Sequence, residues 1–339
     1  MAGGHEVASP EAVSETERAV LGPVTAPALH AFLDGYARRH LGSGIGRVRF
    51  RAGRIDVVWG VELDDGRAVV LKAHRPPVDL HARRAANDAQ LVLSRAGFPC
   101  PTPLSGPDET GGHVLTAESL QEGATPDGRD PAHRRLLAAG LARHIAVLRE
   151  APDLLSRAGP GPSWCHYQAG PWPVPHDSVV DFSTTPPDEA WLDDFGRRAA
   201  DQILAHRDRY AVVVGHADWY GGNTVVADGE LVGTFDWELV ADREAVIAGF
   251  AAACYAASST GGGGLSTPEE AAWFLQDFDT ARGTPLSDGE QHLAAGAAAW
   301  IVAFNARWQV ALRGQGRSND PDLVELVRRR QQDYLSLTW

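Results

Sequence analysis

Lysine is all but missing. Of the 31 lysine and arginine residues in this 339-residue chain, Lys72 is the sole lysine, which singles out position 72 for a role that suits a compact ammonium rather than a guanidinium fork. An excess of positive charge is missing too. The net charge of −13 argues against nucleic-acid or anionic-membrane binding, because those partners need a cationic face to displace counterions. Cysteine is scarce: Cys100, Cys165 and Cys254 are widely spaced with no Cys-x-x-Cys pair, so neither a disulfide framework nor a zinc site is expected. No uninterrupted apolar run reaches about 18 residues, and the first residues lack a basic segment followed by an apolar one. The expected setting is the reducing cytoplasm, without membrane attachment.

What is present suffices for two domains, the default at this length, since 44% of residues are hydrophobic. The acidity fits a cationic ligand and fits plain solubility equally well. Residues 1–22 are polar and rich in small side chains and read as a flexible tail. Residues 23–117 read as a small lobe. Thr25-Ala26-Pro27 opens a helix to about Leu41, strands follow from Arg47 with a hairpin corner at Asp64-Asp65-Gly66, and Lys72 falls near the end of the third strand. A helix over 79–96 and a strand over 113–117 complete that lobe.

Residues 118–339 read as a larger, helical lobe. It begins with a helix capped by Asp130-Pro131 and contains an irregular stretch at about 152–187, rich in proline and aromatics and too long for a simple connection. Thr267-Pro268-Glu269-Glu270 has the form of a capping box. The Gly261–Gly264 run lacks the following Lys-Ser/Thr pair of a phosphate loop and reads as a linker. The fold class expected is α+β, a small antiparallel sheet followed by a mostly helical part.

The chemistry concentrates in one stretch, GHADWYGGNTVVADGELVGTFDWE, from Gly215 to Glu238. His216-Ala217-Asp218 followed by Asn223 has the spacing of a phosphoryl-transfer loop, in which the aspartate takes the proton of an attacking hydroxyl and the asparagine holds Mg2+. Asp236 closes a strand-like run and can reach the same metal, for which a few protein oxygens suffice because phosphates and water complete the octahedron. His216 is expected to fix the loop rather than act as base. Lys72, on the third strand ahead of a helix, suits the α- and β-phosphates of ATP or another nucleoside triphosphate. The helix after it holds no glutamate, leaving Asp88 as its candidate partner. The turn containing Gly53 and Arg54 could cover phosphates with backbone amides.

Taken singly, each signal has an ordinary structural explanation, and Trp219 and Trp237 are the kind of residue that usually packs a core. Their order is what carries the reading: sheet lysine, helix, His-x-Asp-x4-Asn, strand, Asp. In that order, residues 47–237 resemble the aminoglycoside phosphotransferase and choline kinase-like family, with GHADWYGGN matching its HGDxxxxN loop and GTFDWE its metal-binding IDW strand. The resemblance implies a two-lobed protein-kinase-like fold and ATP- and Mg2+-dependent phosphorylation of a small hydroxylated acceptor. It further implies Asp218 as catalytic base, Asn223 and Asp236 as metal ligands, and backbone from Glu118 to Leu120 at the adenine.

Ala217 stands where protein kinases have an arginine that reads a phosphorylated activation loop, so that form of control is not expected. The acceptor implied is an aminoglycoside or other cationic antibiotic, or a sugar or amino-alcohol metabolite. Its candidate contacts are Glu238, Asp242, Trp172, His176 and Asp177, with Trp219 and Trp237 beside the two aspartates. A monomer or dimer is expected. The competing reading is a catalytically inactive kinase-fold scaffold, for which the missing helix glutamate and the reduced glycine turn speak.

Overall fold

A computed structural model describes residues 12–53, 55–176, 180–257, 264–316 and 323–339. Arg54, Asp177 and most of the Gly261–Gly264 run lie outside the described residues. The chain divides into two compact units, one reaching to Glu122 and the other running from Gly123 to Trp339.

Of residues 1–22, read as a tail, the described residues 12–22 are anchored in the first unit. Ser14 and Glu17 form a reciprocal capping box that starts α1 (Glu15–Leu21). Glu17 is only 3% exposed; it pairs with Arg51 and accepts the indole N–H of Trp59 at 2.7 Å. A buried carboxylate needs such partners, and these tie α1 to the sheet. In α2 (Ala26–Leu41), Thr25 caps the first turn and Leu29, Leu33, Tyr36 and Ala37 recur on one face, all buried.

The sheet has five antiparallel strands in the order β1-β2-β3-β5-β4: β1 (Ile45–Ala52), β2 (Val57–Leu63), β3 (Ala68–His74), β4 (Pro103–Thr110) and β5 (His113–Ser119). β4 escaped the sequence reading because of its prolines. It lies at the sheet edge, where an absent N–H is tolerated.

Strand alternation decides which side chains share a face. Val69, Leu71 and Ala73 of β3 and Leu115 and Ala117 of β5 join the core built with α2. Lys72, His74, Thr116 and Glu118 therefore lie on the opposite face, with Lys72 in register with Thr116. Between β3 and β4 runs α3 (Leu80–Arg95), capped by the Asp79 carboxylate.

The second unit opens with α4 (Pro131–Arg149) and α5 (Trp191–Leu204), then has four short strands: β6 (Val212–His216), β7 (Thr224–Ala227), β8 (Glu230–Thr234) and β9 (Leu239–Arg243). β6 pairs with β9 and β7 with β8, both antiparallel. The β7–β8 turn places Asp228 and Gly229 at φ 52° and 77°, the left-handed pair that a tight two-residue hairpin needs. α6 (Glu244–Cys254) follows β9 directly.

α6 is apolar after Glu244 and packs on α8 (Asp288–Gly314), where Gly249 permits close approach: a Cβ there would lie 2.3 Å from the Ala294 carbonyl oxygen. α7 (Pro268–Arg282), with its capping box at Thr267 and Glu270, and α9 (Leu323–Leu335) complete the unit.

Candidate active site

Two ladders converge on the stretch from Gly215 to Glu238. The β6–β9 ladder continues past His216 with Ala217 N–H donating to Glu238 O at 2.7 Å, and the β7–β8 ladder continues with Phe235 N–H donating to Asn223 O at 3.0 Å. His216 joins the two. Its Nδ1 accepts from Asp218 N–H at 3.1 Å, which leaves Nε2 to carry the proton and donate to Phe235 O at 3.1 Å. The expected loop-fixing role is thus visible as a bond from the aspartate loop to the residue before Asp236.

Asn223 lies at the end of a single 3-10 turn, Gly221–Asn223. Its Nδ2 donates to the Asp218 carboxylate at 2.8 Å and to the Asp218 carbonyl at 3.0 Å. Both amide hydrogens thereby face Asp218, and Oδ1 is the atom that remains suited to a cation. Asp236 is exposed and adopts φ 56°, a left-handed conformation that costs a non-glycine residue about 1 kcal/mol or more and tends to be held at functional positions.

Burial raises the Asp218 pKa from 3.8 to about 7; the charges of Asp236 and Glu238 act in the same direction, while the Asn223 hydrogen bond opposes them. The Asp236 carboxylate and Asn223 Oδ1 are hard oxygen donors of the kind a divalent cation takes. Among the described residues no group of three or more His, Cys, Asp and Glu side chains is arranged as a metal cluster by itself. The protein would thus supply only part of a coordination shell.

The floor of this loop is aromatic. His144 of α4, its pKa lowered by burial and by the neighbouring His216, stacks on Trp237 at 5.2 Å and meets Trp219 edge-on at 5.9 Å. Trp219 is 2% exposed and bonds Leu137 O; Trp237 is also buried and bonds Thr234 O. The rings and indole N–H groups of these two tryptophans, named as candidate acceptor contacts, are occupied in the core.

Two further acceptor candidates are likewise engaged within the protein. Asp242 is buried and accepts from Tyr167 Oη at 2.8 Å, and Trp172 is buried with its indole bound to Asp193 at 2.6 Å. Both hold the 152–187 segment in place. Arg307 of α8 reinforces this, donating to Thr184 O and Thr185 Oγ1 and lying over the Phe182 ring. The segment is therefore packed against β9 and α8 over much of its length.

Trp164, in this segment, was not singled out by sequence reasoning. Its indole N–H donates to Ala217 O at 3.2 Å, directly before Asp218, and its own carbonyl accepts from Trp300 at 2.7 Å. His176, exposed, meets Trp164 edge-on at 4.9 Å and stacks on Trp308 at 4.8 Å. The only sequence signal was an aromatic residue in an over-long connection. Glu238 is half-buried close enough to Asp218 to raise its pKa.

In the first unit, Lys72 Nζ forms an ion pair with Glu118 Oε1 at 3.0 Å. Asp88 lies half-buried on α3. The amides of Ser119 and Leu120 donate to Thr102 O and Ala68 O, so any adenine contact from 118–120 would fall to other groups. Gly53 adopts φ 111°, and a Cβ there would lie 1.9 Å from Asp56 O; the turn requires glycine. Asp56 holds the turn by accepting from Arg75 N–H at 2.9 Å and bonding His74 Nδ1 at 2.7 Å.

Comparison with solved structures bears on the fold. An amicoumacin kinase in complex with AMP-PNP, Ca2+ and Ami is 14% identical, with 86% of this chain and 88% of that chain aligned at a TM-score of 0.60. A Plasmodium vivax ethanolamine kinase, 14% identical, aligns over 96% and 95% at 0.55. An aminoglycoside phosphotransferase from Alicyclobacillus acidocaldarius, 12% identical, aligns over 88% and 94% at 0.51. No curated protein matches the sequence significantly.

The fold is that of the kinase-like phosphotransferases. Residues 47–286 match the phosphotransferase enzyme family, and the chain belongs to it.

Proposed function

We propose that this phosphotransferase moves the γ-phosphoryl group of ATP, or another nucleoside triphosphate, to a hydroxyl of a small acceptor in a Mg2+-dependent reaction. The observation that carries the reading is the Asp218 carboxylate. It is held by Asn223, next to a loop fixed by His216, with a pKa of about 7. A base poised near neutral pH can take a hydroxyl proton and release it between turnovers.

In the reaction the acceptor hydroxyl donates to Asp218, and its oxygen forms a bond to the γ-phosphorus as the bond to the bridging oxygen of ADP breaks. The proton ends on Asp218 and the electron pair on ADP. The bound cation would be held by Asn223 Oδ1 and the Asp236 carboxylate, and it supplies charge for the phosphate oxygens. Lys72 neutralises the nucleotide phosphates, the Gly53 turn covers them, and Asp88 is assigned a supporting part beside Lys72.

Acceptor choice is assigned to Glu238 and His176. An acidic pair, Glu238 and Asp218, favours an acceptor that carries an amine, such as an aminoglycoside, another cationic antibiotic or an amino alcohol. ATP consumption without acceptor, and then with a panel of aminoglycosides, amino alcohols and sugars, tests this. Turnover on an amine-bearing alcohol is the expected result, and binding of Mg2+·ATP without turnover on any acceptor would favour a scaffold. The missing helix glutamate lent the scaffold support from sequence; the Lys72–Glu118 pair weakens that support.

A further inference from the structure

We infer that Glu118 of β5 positions the ammonium of the nucleotide lysine from within the sheet. The inference rests on the phosphotransferase reading for the role of Lys72. Its ground is local to the first unit. β3 and β5 pair with Lys72 opposite Thr116 and Val70 opposite Glu118, so Lys72 and Glu118 are diagonal neighbours on one face, within reach of long side chains.

The ammonium and the carboxylate meet at 3.0 Å, with side chains 11% and 12% exposed. Charges this deeply placed need fixed partners. The second carboxylate oxygen has one: Gln90 Nε2 of α3 donates to Glu118 Oε2 at 2.9 Å and to Pro101 O at 2.9 Å. The carboxylate is thus held at both oxygens, by the lysine on one side and by an anchored amide on the other.

The sequence of α3, LHARRAANDAQLVLSR, contains no glutamate. An ammonium has three donors, so a bond to Glu118 is compatible with contact to phosphate. Holding the ammonium by a strand neighbour makes its place depend on the β3–β5 ladder, with the helix in a supporting part.

The test is a double-mutant cycle on the full chain, read as the dissociation constant of Mg2+·ATP by calorimetric titration, with a thermal melt of every variant. Lys72→Met weakens binding. Glu118→Gln, an isosteric change, weakens it about tenfold or more, as loss of a charge-assisted bond to the ammonium implies. In the Lys72→Met background the same change has an effect within about twofold of none, because Glu118 acts through the lysine.

Should Glu118→Gln fail to fold, Gln90→Leu replaces it, with an expected loss of about threefold that vanishes in the Lys72→Met background. Binding unchanged by Glu118→Gln, or by Gln90→Leu where that is used, while Lys72→Met weakens it, would overturn the positioning role. So would an equal loss in both backgrounds, which would show that Glu118 contacts nucleotide independently. Binding unaffected by Lys72→Met would instead overturn the assignment of the lysine itself.

Discussion

Replacing Asp218 by asparagine is expected to abolish turnover and at the same time to stabilise the metal-free fold. The carboxylate is held half-buried near the negative charges of Asp236 and Glu238, and its pKa stands at about 7 instead of 3.8. The ionised form is therefore disfavoured in the folded state. That displacement corresponds to about 4 kcal/mol at most, and solvent screening of a partly exposed group reduces it to about 2 kcal/mol.

For a unit the size of Gly123–Trp339, about 2 kcal/mol raises Tm by roughly 4–8 °C. The sign follows from proton linkage. Between about pH 4 and 7 the folded wild-type chain holds a proton that the unfolded chain has lost, so wild-type stability falls as pH rises through that window and levels off above it. The advantage of Asp218→Asn should thus be absent near pH 4, grow to pH 7 and stay constant at pH 8. Asparagine keeps an oxygen for the Asn223 amide, so the loop bond survives. Calorimetric melts from pH 4 to 8 in chelator-treated buffer measure this. A variant that melts at or below wild type at pH 8 would refute the reasoning.

Trp164→Phe keeps the ring but removes the donor to Ala217 O; kcat should fall about fivefold with little change in Tm, as expected for one hydrogen bond near the base, and steady-state kinetics with stopped denaturation controls read it. Glu17→Gln leaves Arg51 buried without its charge partner and should destabilise the first unit by about 3 kcal/mol in urea unfolding. The same pair sets an acid limit. Burial raises the Glu17 pKa, but the bonds from Arg51, Ser14 and Trp59 outweigh it and hold it below 4.5, so its contribution is present above 4.5 and lost as pH falls through the lower folded value. Gly53→Ala places a Cβ against Asp56 O at an unfavourable φ and should weaken Mg2+·ATP binding about tenfold or more through strain in the turn.

The catalytic loop could be read from sequence because its parts are close in the chain: Asp218 and Asn223 are brought together by one short turn, and the strand leading to Asp236 is signalled by its own apolar run. The contact between Lys72 and Glu118 could not. Glu118 reaches the lysine through a strand register that depends on where β5 enters the sheet, and helix-centred reasoning looked for a carboxylate on α3. Burial was the other blind spot. Trp219, Trp237, Trp172 and Asp242 have the chemistry of ligand contacts, and the sequence could not show the tertiary partner that each has: Leu137, Thr234, Asp193 and Tyr167 respectively. The same limit hid the anchoring of α1 to the sheet, which rests on a buried carboxylate, Glu17, in an otherwise polar segment.

The central claim is that Asp218 serves as base in transfer of a phosphoryl group from nucleotide to a small hydroxylated acceptor. Phosphorus NMR of a reaction containing Mg2+·ATP, an amine-bearing alcohol panel and either wild type, Asp218→Asn or Asp236→Ala tests it most directly. The account predicts a new phosphomonoester resonance matched by ADP with wild type, and none above background with either variant. A phosphomonoester formed at the wild-type rate by Asp218→Asn would contradict it.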